Sequence, residues 1–237
     1  MSIASNAARI QEEIAVACRR CGRSDADVAL MAVSKMHPAE AIAEAFSAGL
    51  RVFGENRVQE WQQKQPLVAQ LSGRADALRM HLIGPLQSNK TSRAAELFDG
   101  IDSVDSFRIA TRLNQTATEL KKKLPILIEV KLSPEETKHG IAPQELPELL
   151  TQLEALEALV PSGLMTVPPW SEDADRARPY FKELRRLRDS CLSRFPTLTQ
   201  LSMGMSNDFA VAIEEGSTCV RIGTAIFGKR QYPERIE

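Results

Sequence analysis

The sequence carries no excess charge of either sign. Lys and Arg number 30 against 31 Asp and Glu, a formal net charge of −1. That balance leaves no electrostatic footprint for nucleic acid or an anionic membrane. Long hydrophobic runs are also missing. None approaches the ~20 apolar residues of a membrane span. The opening Met1-Ser-Ile-Ala-Ser-Asn-Ala-Ala-Arg9 lacks the apolar core of a secretion signal. A soluble cytoplasmic protein is expected. Cysteine is limited to four residues. Cys18 and Cys21 form one Cys-x-x-Cys, with no second pair to complete a structural zinc site. They fall within a helical pattern (Ile3, Ala7, Ile10, Ile14, Ala17, Cys18) and read as small packing residues. Cys191 and Cys219 read as core positions. Histidine is limited to three residues. His37, His81 and His139 fall near strand ends, which admits a zinc-dependent barrel hydrolase. Against it, no His-x-His pair occurs, and His81 enters its strand rather than leaving it.

What the sequence does contain is alternation. Apolar, strand-like runs at Val28–Val33, Leu50–Phe53, Met80–Ile83, Gly100–Ser103, Ile126–Val130, Leu159–Met165, Thr197–Leu201 and Cys219–Ile222 are separated by helical patterns. Pro38 opens one helix and Gly49 closes it, with Ala41, Ile42, Ala45 and Phe46 on its buried face. A later helix turns Phe181, Leu184, Leu187, Cys191 and Leu192 inward and Arg185, Arg186 and Arg188 outward. Alternating strands and helices imply a parallel sheet with right-handed crossovers. Eight such units in about 250 residues suit a single (β/α)8 TIM barrel, an α/β fold, here spanning residues 1–237 with an N-terminal helix at about 3–21. An open doubly wound sheet is the alternative. It often carries Gly-x-Gly-x-x-Gly after its first strand, whereas this chain has Ser34-Lys35-Met36-His37-Pro38. Val167-Pro-Pro-Trp170 reads as a loop at the barrel mouth.

In such barrels function gathers at the C-terminal ends of the strands. Lys35 leaves the first strand with its stem among apolar neighbours. That setting disfavours the ammonium form, and a neutral amine is what an imine with an aldehyde requires. A solvated lysine is the ordinary alternative. The loops after the seventh and eighth strands commonly hold phosphate on backbone N–H groups. Here Gly204 and Gly223 permit close backbone approach, and Ser206 and Thr224 add hydroxyls. Ser206 also suits the N-cap of a helix at Asp208–Glu215. Arg221 lies inside the eighth strand, where an arginine needs a partner such as a ring nitrogen or a carboxylate. An amine and a phosphate cup together suggest a phosphorylated aldehyde, and pyridoxal 5'-phosphate fits.

The segments Ala32-Val-Ser-Lys35, Phe53-Gly-Glu-Asn-Arg-Val-Gln-Glu60, His81-Leu-Ile-Gly-Pro-Leu-Gln-Ser-Asn-Lys90, Gly163-Leu-Met165, Leu201-Ser-Met-Gly-Met-Ser206 and Val220-Arg-Ile-Gly-Thr-Ala-Ile-Phe-Gly228 resemble the signature segments of the pyridoxal phosphate homeostasis protein family, in order. The resemblance implies the barrel of alanine racemase without that enzyme's second, β-rich domain. It implies that Lys35 is the aldimine lysine and that Asn56 and Met203 lie at the cofactor. It further implies that Ser206, Gly223 and Thr224 hold the phosphate and that Arg221 faces the pyridine nitrogen. Ser133–Gly140 resembles the family's Lys-x-Gly segment. Met36-His37-Pro38 departs from the usual Thr-Lys-Pro, and Met80 stands where an aromatic residue is common.

Two functions remain open on these residues. An arginine at the ring nitrogen leaves it unprotonated and weakens the ring as an electron sink. A racemase also needs a second acid/base, a tyrosine from the second domain in alanine racemases. The tyrosines here are Tyr180, in a charged helical segment, and Tyr232, near the C-terminus. The expectation is therefore a non-catalytic binder that holds the cofactor as an imine and limits its free concentration. The alternative is a racemase or aldolase on one barrel. Expected partners are the cofactor and apo-enzymes that use it, in a monomer or weak dimer. Lys90, Lys138 and Lys229 are surface lysines that could take the aldehyde transiently.

Overall fold

The computed structural model describes residues 2–72, 78–135 and 139–228. Lys138, Lys229 and Tyr232 lie outside them, as does part of the Ser133–Gly140 segment. Eight strands hydrogen-bond in chain order: β1 (Ala29–Val33), β2 (Val52–Glu55), β3 (Arg79–Leu82), β4 (Gly100–Val104), β5 (Leu124–Glu129), β6 (Leu159–Met165), β7 (Gln200–Ser202) and β8 (Cys219–Ile222). All pairs are parallel, and β8 returns to β1 with Met31 opposite Arg221, which closes the barrel. Closure removes both sheet edges. The expected eight-stranded barrel is present. Every residue of β4 is buried, as a parallel strand covered on both faces requires.

Helices cover the outside. α1 (Ile3–Arg20) precedes β1. α2 (Ala39–Ser47), α3 (Val58–Ser72), α4 (Thr91–Leu97), α5 (Phe107–Glu119), α6 (Leu146–Leu153), α7 (Arg178–Cys191) and α8 (Phe209–Glu214) link successive strands, and α9 (Thr224–Phe227) follows β8. With only four residues, α9 cannot shield β8 and β1. α1 takes that place, packing on α2, α8 and α9. Asn6 Nδ2 donates to the Ile226 carbonyl at 2.9 Å and ties the helix to α9. Ser2 caps α1 by accepting from the Ser5 N–H. Cys18 is buried within it, and burial pushes its thiol pKa up. No helix among the described residues is long and apolar enough to cross a membrane.

Three local expectations shift, each for a physical reason. β2 begins at Val52, not Leu50. Gly49, at φ +98°, places α2 in a Schellman motif: Gly49 N–H donates to Phe46 O and Leu50 N–H to Ala45 O, so Leu50 belongs to the helix cap. β7 begins at Gln200, not Thr197. Leu198 N–H donates to Phe195 O and Thr199 N–H to Thr197 O, which commits that stretch to turns. Arg185 and Arg186 face solvent on α7, but Arg188 folds back, its Nη1 donating to Thr199 O at 2.9 Å.

The N-terminal end of the barrel carries a part-buried His–Asp pair. His81 on β3 holds Nδ1 2.8 Å from Asp102 Oδ1 on β4. Burial pulls the imidazole pKa down, but the Asp102 charge and hydrogen bond outweigh it, and the folded pKa is raised. A raised folded pKa gives stabilisation that is complete below the ordinary histidine value, about 6.5, and is lost as pH rises through the folded value. His81→Asn removes this term. The stability gap between wild type and variant, from urea midpoints, is expected to be larger at about pH 6 than at about pH 9.

Candidate functional site

The opposite end of the barrel holds an open cavity of about 530 Å³. Its walls come from segments at the C-terminal ends of strands, as the architecture dictates. Val33 and Lys35 follow from β1, Asn56 from β2, Gly84 and Pro85 from β3, and Glu129 from β5. Val167, Trp170 and Ser171 come after β6, and Met205 to Asp208 after β7. Arg221 on β8 and Gly223 and Thr224 beyond it complete the wall. Lys35, Asn56, Ser206, Arg221, Gly223 and Thr224, each expected at the site, therefore share one cavity.

Met203 does not. It is fully buried in the apolar core, with its N–H donating to Cys219 O and its carbonyl accepting from Ser217 Oγ at 2.7 Å. Gly204 is likewise a packing residue. At φ +96°, a Cβ there would lie 2.6 Å from Ala212 Cβ and 3.0 Å from Phe209 Cα, so its smallness seats α8. The N-cap of α8 is Asp208, not Ser206. Asp208 Oδ1 accepts from Met205 N–H at 2.6 Å, which fixes the loop and leaves Ser206 exposed at the rim.

Lys35 is half-buried in a four-residue turn. His37 N–H donates to Ser34 O at 3.1 Å, and Met36 sits at φ +63°. A positive φ at the third position is the mark of a type II turn, where glycine is usual. For methionine it costs about 1–2 kcal/mol. His37 then stacks on Phe227 of α9, ring centroids 5.0 Å apart, so this turn is pinned to the loop after β8.

Arg221 is 4% exposed. Nη1 donates to Ser202 Oγ and Nη2 to Thr166 O, both at 2.8 Å. Burial lowers its pKa, while Cys219, Asp102, Glu129 and Asp208 act to raise it. Arginine stays protonated in such a setting. The guanidinium is thus a fixed cation in the cavity wall. Burial raises the Asp208 carboxyl, opposed by the Met205 N–H and by Arg221.

Nothing in the sequence marks Glu129 as a wall residue, and His139 stands out there only as a zinc candidate near a strand end. The Pro-rich loop did signal the place of Trp170, which is 73% exposed. The three histidines do not converge. His81 pairs with Asp102 at the far end, His37 stacks on Phe227, and His139 lies at the mouth. Lys90 lines a neighbouring cleft with Arg57, Gln87 and His139 rather than this cavity.

The cavity suits a small phosphorylated ring in size, since ligand pockets run from about 300 to 1,000 Å³. It has an amine at the end of β1. At α9 the first N–H groups of a helix have no intrahelical partner, and the Thr224 hydroxyl stands beside them. A fixed cation lies in the wall at β8.

The family described as "Alanine racemase, N-terminal domain" matches residues 5–231. A protein of Escherichia coli K12 described as "Pyridoxal phosphate homeostasis protein" is 43% identical over 233 residues, 98% of this chain and 99% of that one. The solved structure of PipY from Synechococcus elongatus with PLP bound superposes with a TM-score of 0.84 at 40% identity, covering 96% of this chain and 100% of PipY. Alanine racemase from Bartonella henselae gives a TM-score of 0.68 at 17% identity, covering 98% of this chain and 61% of the racemase, a likeness of fold. Matched end to end in sequence and in barrel architecture, the chain belongs to the alanine racemase N-terminal domain family and, within it, to the pyridoxal phosphate homeostasis proteins.

Proposed function

We propose that this protein binds pyridoxal 5'-phosphate and serves its homeostasis, holding the cofactor covalently at Lys35 without turning over a substrate. The observation that carries this is the meeting of Lys35, Arg221, Ser206, Gly223 and Thr224 around one cavity. The bound cofactor would supply a reactive aldehyde on a conjugated ring. Lys35 supplies the amine that takes the aldehyde. Thr224, Ser206 and the backbone at Gly223 hold the phosphate, and Asn56 flanks the ring. Arg221, a cation already committed to Ser202 and Thr166, cannot protonate a ring nitrogen and disfavours a proton there. That placement limits the carbanion chemistry a racemase depends on. Among the described residues no tyrosine lines the cavity, and Tyr180 lies on α7 in the outer ring. The relatives named as homeostasis proteins and the PLP-bound PipY support the same reading. A protein of this kind keeps a reactive aldehyde sequestered and available to apo-enzymes that need it.

Trp170 offers the test. It stands in the cavity wall, while Trp61 is buried on α3, its Nε1 donating to Leu97 O at the end of α4. Titration with pyridoxal phosphate should quench tryptophan emission and saturate at one equivalent. Trp170→Phe should lose the greater part of that quench while still binding. Emission unchanged through an excess of cofactor would contradict the proposal.

A further inference from the structure

The turn that presents Lys35 is gripped from outside the cavity by a buried ionic cluster. Ser34 Oγ donates to Glu55 Oε1 at 2.8 Å, and Lys64 Nζ donates to the same oxygen at 2.8 Å. Lys64 Nζ also donates to the Ser34 carbonyl at 3.1 Å and to Glu60 Oε1 at 2.6 Å. Glu60 Oε1 in turn accepts from the Met36 N–H at 2.5 Å. The polar groups on both sides of Lys35 are thus held by three side chains, one from β2 and two from α3.

A Glu and a Lys four residues apart on a helix ordinarily form a solvated surface pair. This pair departs from that pattern. The Lys64 side chain is 12% exposed and that of Glu60 21%, and Glu55, which shares Lys64 with it, is 0% exposed. Glu55 Oε2 is the one buried side-chain polar atom without a hydrogen-bond partner among the described residues. Burying an ion pair is costly and adds little net stability, and the turn beneath it contains the left-handed Met36. Strain of this kind persists only where the surroundings over-determine it, and it gathers at functional sites.

We propose that Glu55, Glu60 and Lys64 are positioning residues for Lys35: they hold the Ser34–His37 turn in its left-handed form and so aim the Lys35 amine into the cavity. The inference rests on the cofactor reading for what Lys35 receives, but the positioning itself is a property of the chain. Released from the cluster, the turn relaxes toward a right-handed Met36, about tenfold favoured for a non-glycine residue.

The test compares wild type, Glu60→Ala and Glu60→Gln as full-length proteins. Alanine removes the acceptor for Met36 N–H, whereas glutamine keeps an oxygen in its place. Without cofactor, each is treated with limiting acetic anhydride, and acetylation of Lys35 is read by mass spectrometry relative to Lys90. Each is then titrated with pyridoxal phosphate by absorbance. Glu60→Ala is expected to alter relative Lys35 acetylation and to weaken the cofactor about tenfold, with Glu60→Gln within about twofold of wild type. Wild-type labelling and affinity in Glu60→Ala overturn the proposal. A labelling shift in proteins that all fail to bind the cofactor upholds the positioning and sinks the cofactor reading. Should Glu60→Ala not fold, hydrogen exchange at the Met36 amide of wild type decides: protection supports the cluster, and exchange at the random-coil rate overturns it.

Discussion

Lys35→Ala is expected to bind pyridoxal phosphate at least about a hundredfold more weakly than wild type, close to 3 kcal/mol. It should yield no borohydride-stable adduct at that position. The loss comes from the covalent link alone, so a residual affinity carried by Ser206, Gly223, Thr224 and Arg221 should remain and should be competed by inorganic phosphate. The fold should be nearly untouched. Lys35 is half-buried in a surface turn, and changes at such places usually stay within about 0.5 kcal/mol. Lys35→Arg should fail equally, because a guanidinium keeps its proton and cannot act as the nucleophile. Isothermal titration beside a thermal melt separates the two effects. A variant that binds as wild type would place the covalent site elsewhere.

Arg221→Met is expected to damage both stability and binding. The change removes the donors to Ser202 Oγ and Thr166 O. It also removes a buried positive charge whose field acts on Asp102, Glu129 and Asp208. Leaving two buried acceptors without their donor typically costs about 1–3 kcal/mol each. For a chain of this size that lowers the melting temperature on the order of 10 °C. Arg221→Lys should recover part of the stability, since it restores the charge but not the two-pronged geometry. An unchanged melting temperature in Arg221→Met would show that the network carries no structural weight.

Much of this site was legible because its chemistry coincides with strand ends. Once eight apolar runs are spaced along the chain, the barrel rule places Lys35, Asn56, Arg221, Gly223 and Thr224 at one mouth without reference to tertiary contacts. What stayed hidden depends on contacts that sequence spacing does not encode. Glu55 falls beyond the apolar run Leu50–Phe53 yet ends β2 as a buried residue; Lys64, which pairs with it, sits nine positions on in a helix. Met203 and Gly204 lie in a segment that resembles a ligand loop, yet Met203 is a core residue and Gly204 packs against Ala212 and Phe209 of α8. The helix begins two residues later than a Ser206 cap requires: Asp208 holds the cap position by its backbone, and its carboxylate ties back to the Met205 N–H. Glu129 and His139 reach the cavity only because the barrel brings β5 and the chain after it to the same mouth.

The central claim is that Lys35 takes the aldehyde of pyridoxal phosphate. Borohydride reduction of the protein with one equivalent of cofactor, followed by peptide mass mapping, tests it most directly. The account predicts a single phosphopyridoxyl group on the peptide containing Lys35. An adduct absent from Lys35, or shared evenly with Lys90 and other surface lysines, would contradict it.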